Sequence, residues 1–263
     1  MHDPSAHLDP SVEDAIARAA TVLGAARRVV VTTGAGMSTE SGIPTFRDAP
    51  GAVWANYDPE DLATRDGFRR NPALVWRWYA ERRAIIARAQ PHEGHIALAR
   101  LEPRFERFLI LTQNIDGLHL AAGSTRVVEL HGSIFRYKCF DADHPAPVWE
   151  PGESVPPRCV CGSFLRPDVV WFGEPLDRGL LDLAYAAISD CDVVIVVGTS
   201  GLVYPAAGFP EAARSAGARV IEINPVPTPV SAIADVLVRS GARIALSEIA
   251  ARVARPAATE RDR

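Results

Sequence analysis

Three short motifs in this 263-residue chain have residue types and spacings that could bind a phosphate-bearing ligand and move a proton. Gly34-Ala35-Gly36 directly follows the apolar run 28–33, and a glycine turn after a strand commonly seats phosphates in α/β folds. Gln113-Asn114-Ile115-Asp116 follows a second apolar run, 108–112. His131 follows a third apolar stretch, and imidazole is the side chain best suited to proton transfer near neutral pH.

The glycine turn taken alone is ambiguous. Gly34 and Gly36 fit the first two positions of G-x-G-x-x-G, but Thr39 stands at the third. As a dehydrogenase fingerprint the match is incomplete. A nucleotide site and a strand-to-helix turn that simply needs glycine are equally compatible with it.

The elements that must position these residues alternate between helices and strands. Residues 11–26 have a helical apolar period that begins with Ser11 as the cap. Continuous β-branched runs predict strands at 28–33, 108–112, 192–197 and 218–224, and helical patterns fall at 71–89, 92–101, 182–189 and 208–216. This alternation predicts an α/β fold with a doubly wound parallel sheet, in which ligands bind outside the carboxyl ends of the strands.

Composition narrows the class of protein. Hydrophobic residues make up 48% of the chain and charged residues 23%, which is typical of a globular domain. The net charge of −4 argues against nucleic-acid binding, which needs a basic footprint. No apolar run approaches the ~20 residues of a membrane span, and we see no secretory signal. Because the four cysteines are too few for a disulfide framework, we expect a cytoplasmic protein.

Two segments interrupt the alternation of strands and helices. Residues 48–83 contain a long loop and then helices, and residues 137–166 are rich in proline and hold three of the four cysteines. We therefore expect a discontinuous Rossmann-like domain made of 11–47, 84–136 and 167–255. Residues 48–83 would be a cofactor loop and helical insertion, and residues 137–166 a small cysteine-containing module.

Six motifs, taken together and in order, make the chain similar to the sirtuins, the NAD-dependent protein lysine deacylases. The resemblance runs from about Val29 to about Ile249, and it implies a Rossmann-like sheet with a small zinc-ribbon-like insertion. The motifs are GAGMS with SGIPTFR (34–47), TQNIDGLH (112–119), HG (131–132), LRPDVVWFGE (165–174), GTS (198–200) and IEINP (221–225).

The resemblance implies a reaction that consumes NAD. The acyl oxygen of an acyl-lysine protein attacks the ribose as nicotinamide leaves, and the products are free lysine, nicotinamide and O-acyl-ADP-ribose. His131 would be the general base, and Gln113, Asn114 and Asp116 would orient the ribose and nicotinamide, although polar residues at a strand end can also serve only to form a turn. The enzyme would act as a monomer. An ADP-ribosyltransferase and a non-catalytic NAD-binding regulator are the alternatives, and the intact His131 and Asn114 argue against the regulator.

The resemblance also implies which residues contact NAD. Phe46 and Arg47 match a loop that covers the cofactor, and Ala242 would contact adenine. The residues expected to bind NAD are Gly34, Ala35, Gly36, Ser38, Thr45, Phe46, Arg47, Gln113, Asn114, Ile115, Asp116, Gly198, Thr199, Ser200, Asn224 and Ala242.

A tyrosine and an arginine in the predicted helix 71–89 suggest the acyl group. Tyr79 and Arg82 are three residues apart and share one helix face, and together a phenol and a guanidinium can bind a carboxylate. The pair resembles the Tyr-x-x-Arg of sirtuins that prefer malonyl, succinyl or glutaryl lysine, and Ala63 matches the small residue that widens their acyl pocket. An exposed Arg82 on an amphipathic helix is the alternative.

A further segment resembles the strand with which sirtuins pair the backbone of the substrate peptide, a case of β-augmentation. Its residues are Val170, Trp171, Phe172 and Gly173.

The cysteine module departs from the family pattern. Sirtuins usually bind a structural zinc with two Cys-x-x-Cys pairs, but here Cys139 stands alone and Cys159-Val160-Cys161 is shortened. Tetrahedral zinc needs a fourth ligand. Loss or weak binding of zinc is slightly favoured over a site of three cysteines and one other residue. The candidates for that residue are Asp141, Asp143 and His144.

Overall fold

Short runs of β-branched residues form the strands that carry the site. A computed structural model describes residues 9–45, 58–146 and 155–254. The strands in this part of the chain are β1 (Arg28–Thr33), β2 (Arg107–Thr112), β3 (Val127–Glu129), β4 (Gly132–Cys139), β5 (Leu165–Val169), β6 (Val193–Val197), β7 (Arg219–Ile223) and β8 (Val236–Val238). Within the described residues, one parallel sheet has six strands in the order β3-β2-β1-β6-β7-β8, and β4 pairs with β5 in antiparallel fashion.

The strand order places a ligand crevice at the centre of the sheet. β1 pairs with β2 on one side and with β6 on the other, both in parallel. Because the order of strands reverses at this point, the crossovers diverge to opposite faces and a crevice opens at the carboxyl ends of β1 and β6. The predicted doubly wound parallel sheet is confirmed.

Helices cover both faces of the sheet. The helices of the described residues are α1 (Pro10–Gly24), α2 (Pro59–Leu62), α3 (Arg65–Arg70), α4 (Pro72–Ile86), α5 (Glu93–Leu101), α6 (Leu118–Ala121), α7 (Arg178–Ser189), α8 (Phe209–Ser215) and α9 (Ala242–Ala254). Val29 and Val31 pack under α1, α5 and α9, whereas Val30 packs under α7 and α8. Burial on both faces explains why the strands are continuously apolar. None of these helices combines the length and apolar character needed to cross a membrane.

The helical insertion packs on the β4–β5 pair through an aromatic cluster. Phe68 of α3 is fully buried, and its ring centroid lies 4.7 Å from that of Phe140 and 5.4 Å from that of Trp171. Tyr79 of α4 and Val169 of β5 belong to the same cluster. This packing holds α4 against the segment that follows β5.

Local details differ from the sequence predictions. Ser11 is not the cap of α1: Asp9 precedes the helix, and its carboxylate accepts a hydrogen bond from the Ser11 N–H at 2.8 Å. The glycine turn leads into two single 3₁₀ turns, Ala35–Met37 and Thr39–Ser41, instead of an α-helix. The domain division stays a prediction, and the edges of the segment 137–166 fall inside β4 and β5.

Candidate functional site

Three glycines bring the loops after β1 and β6 into direct contact. The N–H of Gly36 donates to the carbonyl of Gly198 at 2.8 Å. A Cβ on Gly34 or Gly36 would lie 2.8–2.9 Å from backbone atoms of Gly198, closer than real Cβ atoms approach, so larger residues do not fit. Gly198 itself has a φ of 58°, which favours glycine. The glycine turn therefore builds the floor of the crevice.

A chain of hydrogen bonds fixes the polar residues beside this floor. The Asn114 side-chain amide donates to the carbonyl of Gly34 at 3.0 Å and to the Ser38 hydroxyl at 3.1 Å. Ser38 in turn donates to Asp116 at 2.7 Å, and Asp116 also accepts from the N–H of Leu118 at 2.9 Å. All three side chains are buried. Asn114 Oδ1 accepts no hydrogen bond from the described residues, so it can accept one from a ligand hydroxyl.

Burial changes the acid–base character of Asp116. Desolvation raises the pKa of its carboxyl above the usual value, against the hydrogen bonds from Leu118 and Ser38 and the charge of Arg82, which lower it. The aspartate therefore lies in a low-dielectric site where a positively charged ligand group would stabilise its ionised form.

His131 has the properties of a neutral general base. It lies in the turn between β3 and β4, and its Nδ1 is 3.0 Å from the carbonyl oxygen of Gln113. Because a carbonyl only accepts, Nδ1 carries the proton and the lone pair is on Nε2. Desolvation lowers the pKa of His131 below 6.5, so the ring is neutral at pH 7. Nε2 has no hydrogen-bond partner among the described residues.

The position after His131 must be a glycine because of its backbone conformation and the closeness of β5. Gly132 has a φ of 76°, and a Cβ there would lie 2.0 Å from the carbonyl oxygen of Asp168 on the paired strand β5. The N–H of Val170 donates to the carbonyl of His131 at 3.0 Å. The close pairing of β4 and β5 thus fixes the backbone of the candidate base.

The ends of β6 and β7 supply the other half of the crevice. Gln113 Nε2 donates to the Thr199 hydroxyl at 3.3 Å, and Asn224 Nδ2 donates to the Thr199 carbonyl at 3.0 Å. Ser200 is exposed beside them. Ala242 opens α9, but its side chain packs in the core, so only its backbone is available to a ligand.

The remaining residues predicted to bind NAD differ in where they lie and in how exposed they are. Ala35 and Thr45 are half-buried, and Ile115 packs against the aromatic cluster of the helical insertion. Phe46 and Arg47 lie outside the described residues. The glycine floor, the Asn114 amide oxygen and the loops at the switch point together fit a dinucleotide, because this edge offers backbone groups and hydroxyl-binding side chains in one crevice.

The acyl-pocket candidates are buried in the helical insertion. Tyr79 is 7% exposed and Arg82 is 8% exposed, so the alternative of an exposed Arg82 is wrong. Burial raises the pKa of Tyr79 to about 12, and desolvation lowers the pKa of Arg82 from 12.5 while nearby Tyr79 and Asp116 raise it. A guanidinium stays charged even when its pKa falls. Ala63, also buried, lies between α2 and α3.

The segment 170–173 is not a strand. β5 ends at Val169, and the N–H of Phe172 then donates to the carbonyl of Ala63 at 2.8 Å. Trp171 is buried, with its indole N–H donating to the Tyr79 hydroxyl at 2.9 Å, whereas Phe172 is 54% exposed. The segment is irregular and joins the acyl-pocket candidates to β5, and its pairing with a substrate peptide stays a prediction.

An ion pair that we did not predict supports this segment. Arg166 is fully buried and makes two hydrogen bonds to Glu174, at 2.5 and 2.8 Å. Glu174 also accepts from the backbone N–H of Trp171 at 2.9 Å. The hydrogen bonds and charge of Arg166 outweigh burial and lower the pKa of Glu174 to about 2. Arginine and glutamate are usually exposed, so sequence pattern alone gave no signal for this pair.

A second unpredicted ion pair shapes the loop after β7. Glu222 is 1% exposed and accepts from Arg239 at 2.8 Å and from the Ser231 hydroxyl at 2.6 Å. Arg239 also donates to the carbonyl of Asn224 at 3.3 Å. This pair holds the loop that presents Asn224 to the crevice.

The cysteine module contains a fourth potential metal ligand. Potential ligand atoms of Cys139, His144, Cys159 and Cys161 all lie within 4.8 Å of one another. Cys139 Sγ is 3.5 Å from Cys161 Sγ, and Cys159 Sγ is 3.7 Å from His144 Nε2. The edges of a tetrahedral Zn²⁺ site are roughly 3.5–3.8 Å long, so three thiolates and one imidazole fit a structural zinc here.

The aspartates weighed as zinc ligands are outside this group. Asp143 lies 3.4 Å from Lys138 Nζ and 3.4 Å from a guanidinium nitrogen of Arg65. Lys138, the only lysine of the chain, is also 3.8 Å from Asp168, and its side chain is only 17% exposed. Asp143 therefore ties the module to the helical insertion by charge.

We expect one zinc per chain, held more weakly without His144. Elemental analysis of purified protein should find about one equivalent, and His144→Ala should release it at a lower chelator concentration, because one of four ligands is gone. Cys191→Ser is the matched control, since Cys191 is buried beside β6, outside the ligand group. Metal-free wild type, or equal retention in His144→Ala, would contradict this assignment.

Three buried histidines lie under the glycine floor, and the sequence analysis missed them. The ring centroid of His95 lies 4.2 Å from that of His92 and 5.0 Å from that of His119. His92 Nε2 donates to the carbonyl of Met37 at 2.7 Å. Burial first, and then neighbouring imidazoles, lower the pKa of His95 to about 2 and that of His119 to about 4. His95 and His119 are therefore neutral at pH 7, and His92 supports the loop through its hydrogen bond to Met37.

Acid should unfold the protein through this cluster. Unfolded imidazoles titrate near 6.5, so below that pH the unfolded chain binds more protons than the folded one and the free energy of unfolding falls. Near pH 5, His95 and His119 together contribute a slope of about 2.5 kcal/mol per pH unit. Urea unfolding between pH 7 and pH 5 measures the slope, and His95→Phe should reduce it by about half. An unchanged slope in that variant would contradict the prediction.

Comparison with known proteins agrees with this geometry. The NAD-dependent protein deacylase 2 of Pyrobaculum aerophilum is 51% identical over 237 residues, which cover 90% of this chain and 95% of that protein. The NAD-dependent protein deacylase of Ralstonia nicotianae is 48% identical over 239 residues, covering 90% and 97%. The crystal structure of a Sir2 homologue in complex with NAD is 40% identical, covers 96% of each chain and superposes with a TM-score of 0.83. A sequence profile of the Sir2 family matches residues 34–205, and the chain belongs to that family.

Proposed function

We propose that this protein removes acyl groups from protein lysines at the expense of NAD. The observation that carries the proposal is a neutral His131, with its lone pair on Nε2, at the crevice that also contains Asn114 and the glycine floor. Relatives of this length and similarity are named NAD-dependent protein deacylases, and a related structure holds NAD.

Each residue of the crevice has a distinct role in this reaction. Bound NAD supplies an electrophilic ribose carbon and a nicotinamide leaving group. His131 accepts a proton from a ribose hydroxyl at Nε2, while the Gln113 carbonyl stabilises the imidazolium through Nδ1–H. Asn114 Oδ1 accepts a hydrogen bond from a ribose hydroxyl, and Ser38 and Asp116 keep the amide oriented. Fixed donors and acceptors of this kind lower the barrier because they need no reorganisation.

The preferred acyl group is an acidic one. Tyr79 keeps its proton because of its raised pKa and can donate to a carboxylate, while Arg82 offers a bidentate fork. An acyl carboxylate would also offset the cost of burying the guanidinium. Succinyl, malonyl and glutaryl lysine all present such a group at the end of a short chain.

The substrates are acyl-lysine proteins, and the enzyme acts as a monomer in the cytoplasm without binding nucleic acid. The net charge of −4 supports the last point, since a nucleic-acid surface repels a negative protein. The backbone carbonyls of Val170 and Phe172 accept no hydrogen bond from the described residues, so they are available to hold an extended peptide.

A panel of acyl peptides with NAD tests the proposal. Acetyl, malonyl, succinyl and glutaryl lysine peptides are incubated with the enzyme, and mass spectrometry follows each peptide. We expect loss of the acyl group, with higher kcat/KM for the acidic groups. A gain in peptide mass by ADP-ribose would indicate the ADP-ribosyltransferase alternative, and a preference for acetyl lysine would refute the acidic preference alone.

A further inference from the structure

Trp171 is the residue whose side chain joins the irregular segment 170–173 to the acyl-pocket candidates. Its indole Nε1–H donates to the Tyr79 hydroxyl at 2.9 Å, and both side chains are buried. The two residues are 92 positions apart in the chain, so the contact depends on the packing of α4 against the end of β5. We infer that Trp171 sets the acyl specificity by orienting the hydroxyl of Tyr79. This inference rests on the proposed carboxylate-binding role of Tyr79 and Arg82.

The hydrogen bond determines where the phenol can donate. A phenolic O–H prefers the plane of its ring and therefore has two favoured directions, and the oxygen can accept as well as donate. With the indole N–H on one side, the hydroxyl hydrogen is directed to the other. No acceptor among the described residues takes that hydrogen, so it is available to an acyl carboxylate.

The indole is itself rigidly placed. The guanidinium carbon of Arg166 lies 3.4 Å from the centroid of the Trp171 ring, and Arg166 is fixed by its two hydrogen bonds to Glu174. Glu174 also accepts from the backbone N–H of Trp171. Phe68 also packs against the indole, with 5.4 Å between the ring centroids of Phe68 and Trp171. A chain of contacts therefore runs from the half-buried Glu174 through the buried Arg166 and Trp171 to Tyr79.

Preorganisation of this kind affects the acidic acyl groups selectively. Acetyl lysine has no carboxylate and gains nothing from a directed phenol, whereas succinyl lysine loses a charge-assisted hydrogen bond when the phenol turns away. Trp171→Phe keeps an aromatic ring over Arg166 but removes the N–H. We expect it to lower the ratio of kcat/KM for succinyl over acetyl lysine about two- to tenfold, mainly by raising KM for the succinyl peptide.

A double-mutant cycle isolates the route through Tyr79. Tyr79→Phe should lower the same ratio, and adding Trp171→Phe to it should lower the ratio no further, because the hydroxyl that Trp171 orients is already absent. Trp76→Phe is the matched control, since Trp76 lies on the same helix but stacks on the Tyr137 ring, at 5.3 Å between centroids. The control should change the ratio less than twofold. A full additional loss in the double variant would overturn the inference.

A spectroscopic measurement tests the contact without any activity. In protein labelled with ¹⁵N-tryptophan, the Trp171 indole N–H signal is assigned from its disappearance in Trp171→Phe. We expect this signal to be protected from exchange in the wild type and to shift in Tyr79→Phe. An unshifted signal would overturn the inference.

The outcomes separate this inference from the proposed function. If the wild type shows no preference for acidic acyl groups, the proposed acyl specificity fails and the inference fails with it, even with the indole contact intact. If Tyr79→Phe removes the preference and Trp171→Phe leaves it unchanged, the inference alone is overturned.

Discussion

Replacement of His131 by alanine should lower kcat by about 10²–10⁴-fold while NAD still binds. The substitution removes the only imidazole that the structure places at the crevice with a lone pair on Nε2 and a proton held by the Gln113 carbonyl, within the described residues. Steady-state kinetics with an acyl peptide measures the loss, and calorimetric titration with NAD measures binding. Turnover within a few-fold of the wild type would refute the assignment of the base.

The pH profile of the wild type tests the same assignment of His131 independently. A base must be neutral to act, so kcat/KM falls as the pH drops through the pKa of His131. Desolvation lowers this pKa below the ordinary 6.5, so the acidic limb should have its midpoint below 6.5. A limb centred above 6.5 would contradict a desolvated imidazole as the base.

Replacement of Arg82 by methionine should lower the succinyl-to-acetyl ratio of kcat/KM about tenfold to hundredfold. A hydrogen bond to a charged group contributes about 1.5–3 kcal/mol, and this one would be made in both the ground and transition states, so the loss appears mainly in KM. The measurement is steady-state kinetics on matched succinyl and acetyl peptides.

Arg83 of the same helix is the matched control. Its guanidinium carbon lies 5.3 Å from the Tyr137 ring centroid, on the side of the β4–β5 pair. Arg83→Met should leave the succinyl-to-acetyl ratio within about twofold of the wild type. Equal losses of both activities in Arg82→Met would mean that Arg82 stabilises the fold and does not select the acyl group.

The sheet and its crevice followed from sequence because the relevant signals are local. The four apolar runs ended at a glycine turn, at Gln113-Asn114, at Gly198-Thr199-Ser200 and at Asn224-Pro225, and the parallel topology requires their carboxyl ends to meet at one edge. The structure accordingly brings Gly34, Asn114 and Thr199 together. The strand β8 lacks such a signal because it has only three residues, and β4 and β5 lack it because they mix apolar with charged residues.

The supporting contacts could not be predicted from local pattern. His144 reaches the cysteines through a turn in which Asp143 has a φ of 53°, an uncommon backbone conformation for a non-glycine residue. The pair of Arg166 and Glu174 lies inside the protein, whereas arginine and glutamate side chains are usually exposed, so their types alone do not predict it. The histidine cluster combines residues of two separate helices, α5 and α6, with the loop preceding α5.

Because Lys138 is the only lysine in the sequence, the protein is easy to distinguish from its targets in mass spectrometry of lysine acylation. Trypsin would cleave this chain almost entirely after arginine, so the only lysine in its tryptic peptides is Lys138. That amine lies between Asp143 and Asp168 and is largely covered, which limits its reaction with acylating reagents. In a digest of enzyme and target proteins, every acylated lysine other than Lys138 therefore belongs to a target. The enzyme need not be removed before the spectra are recorded.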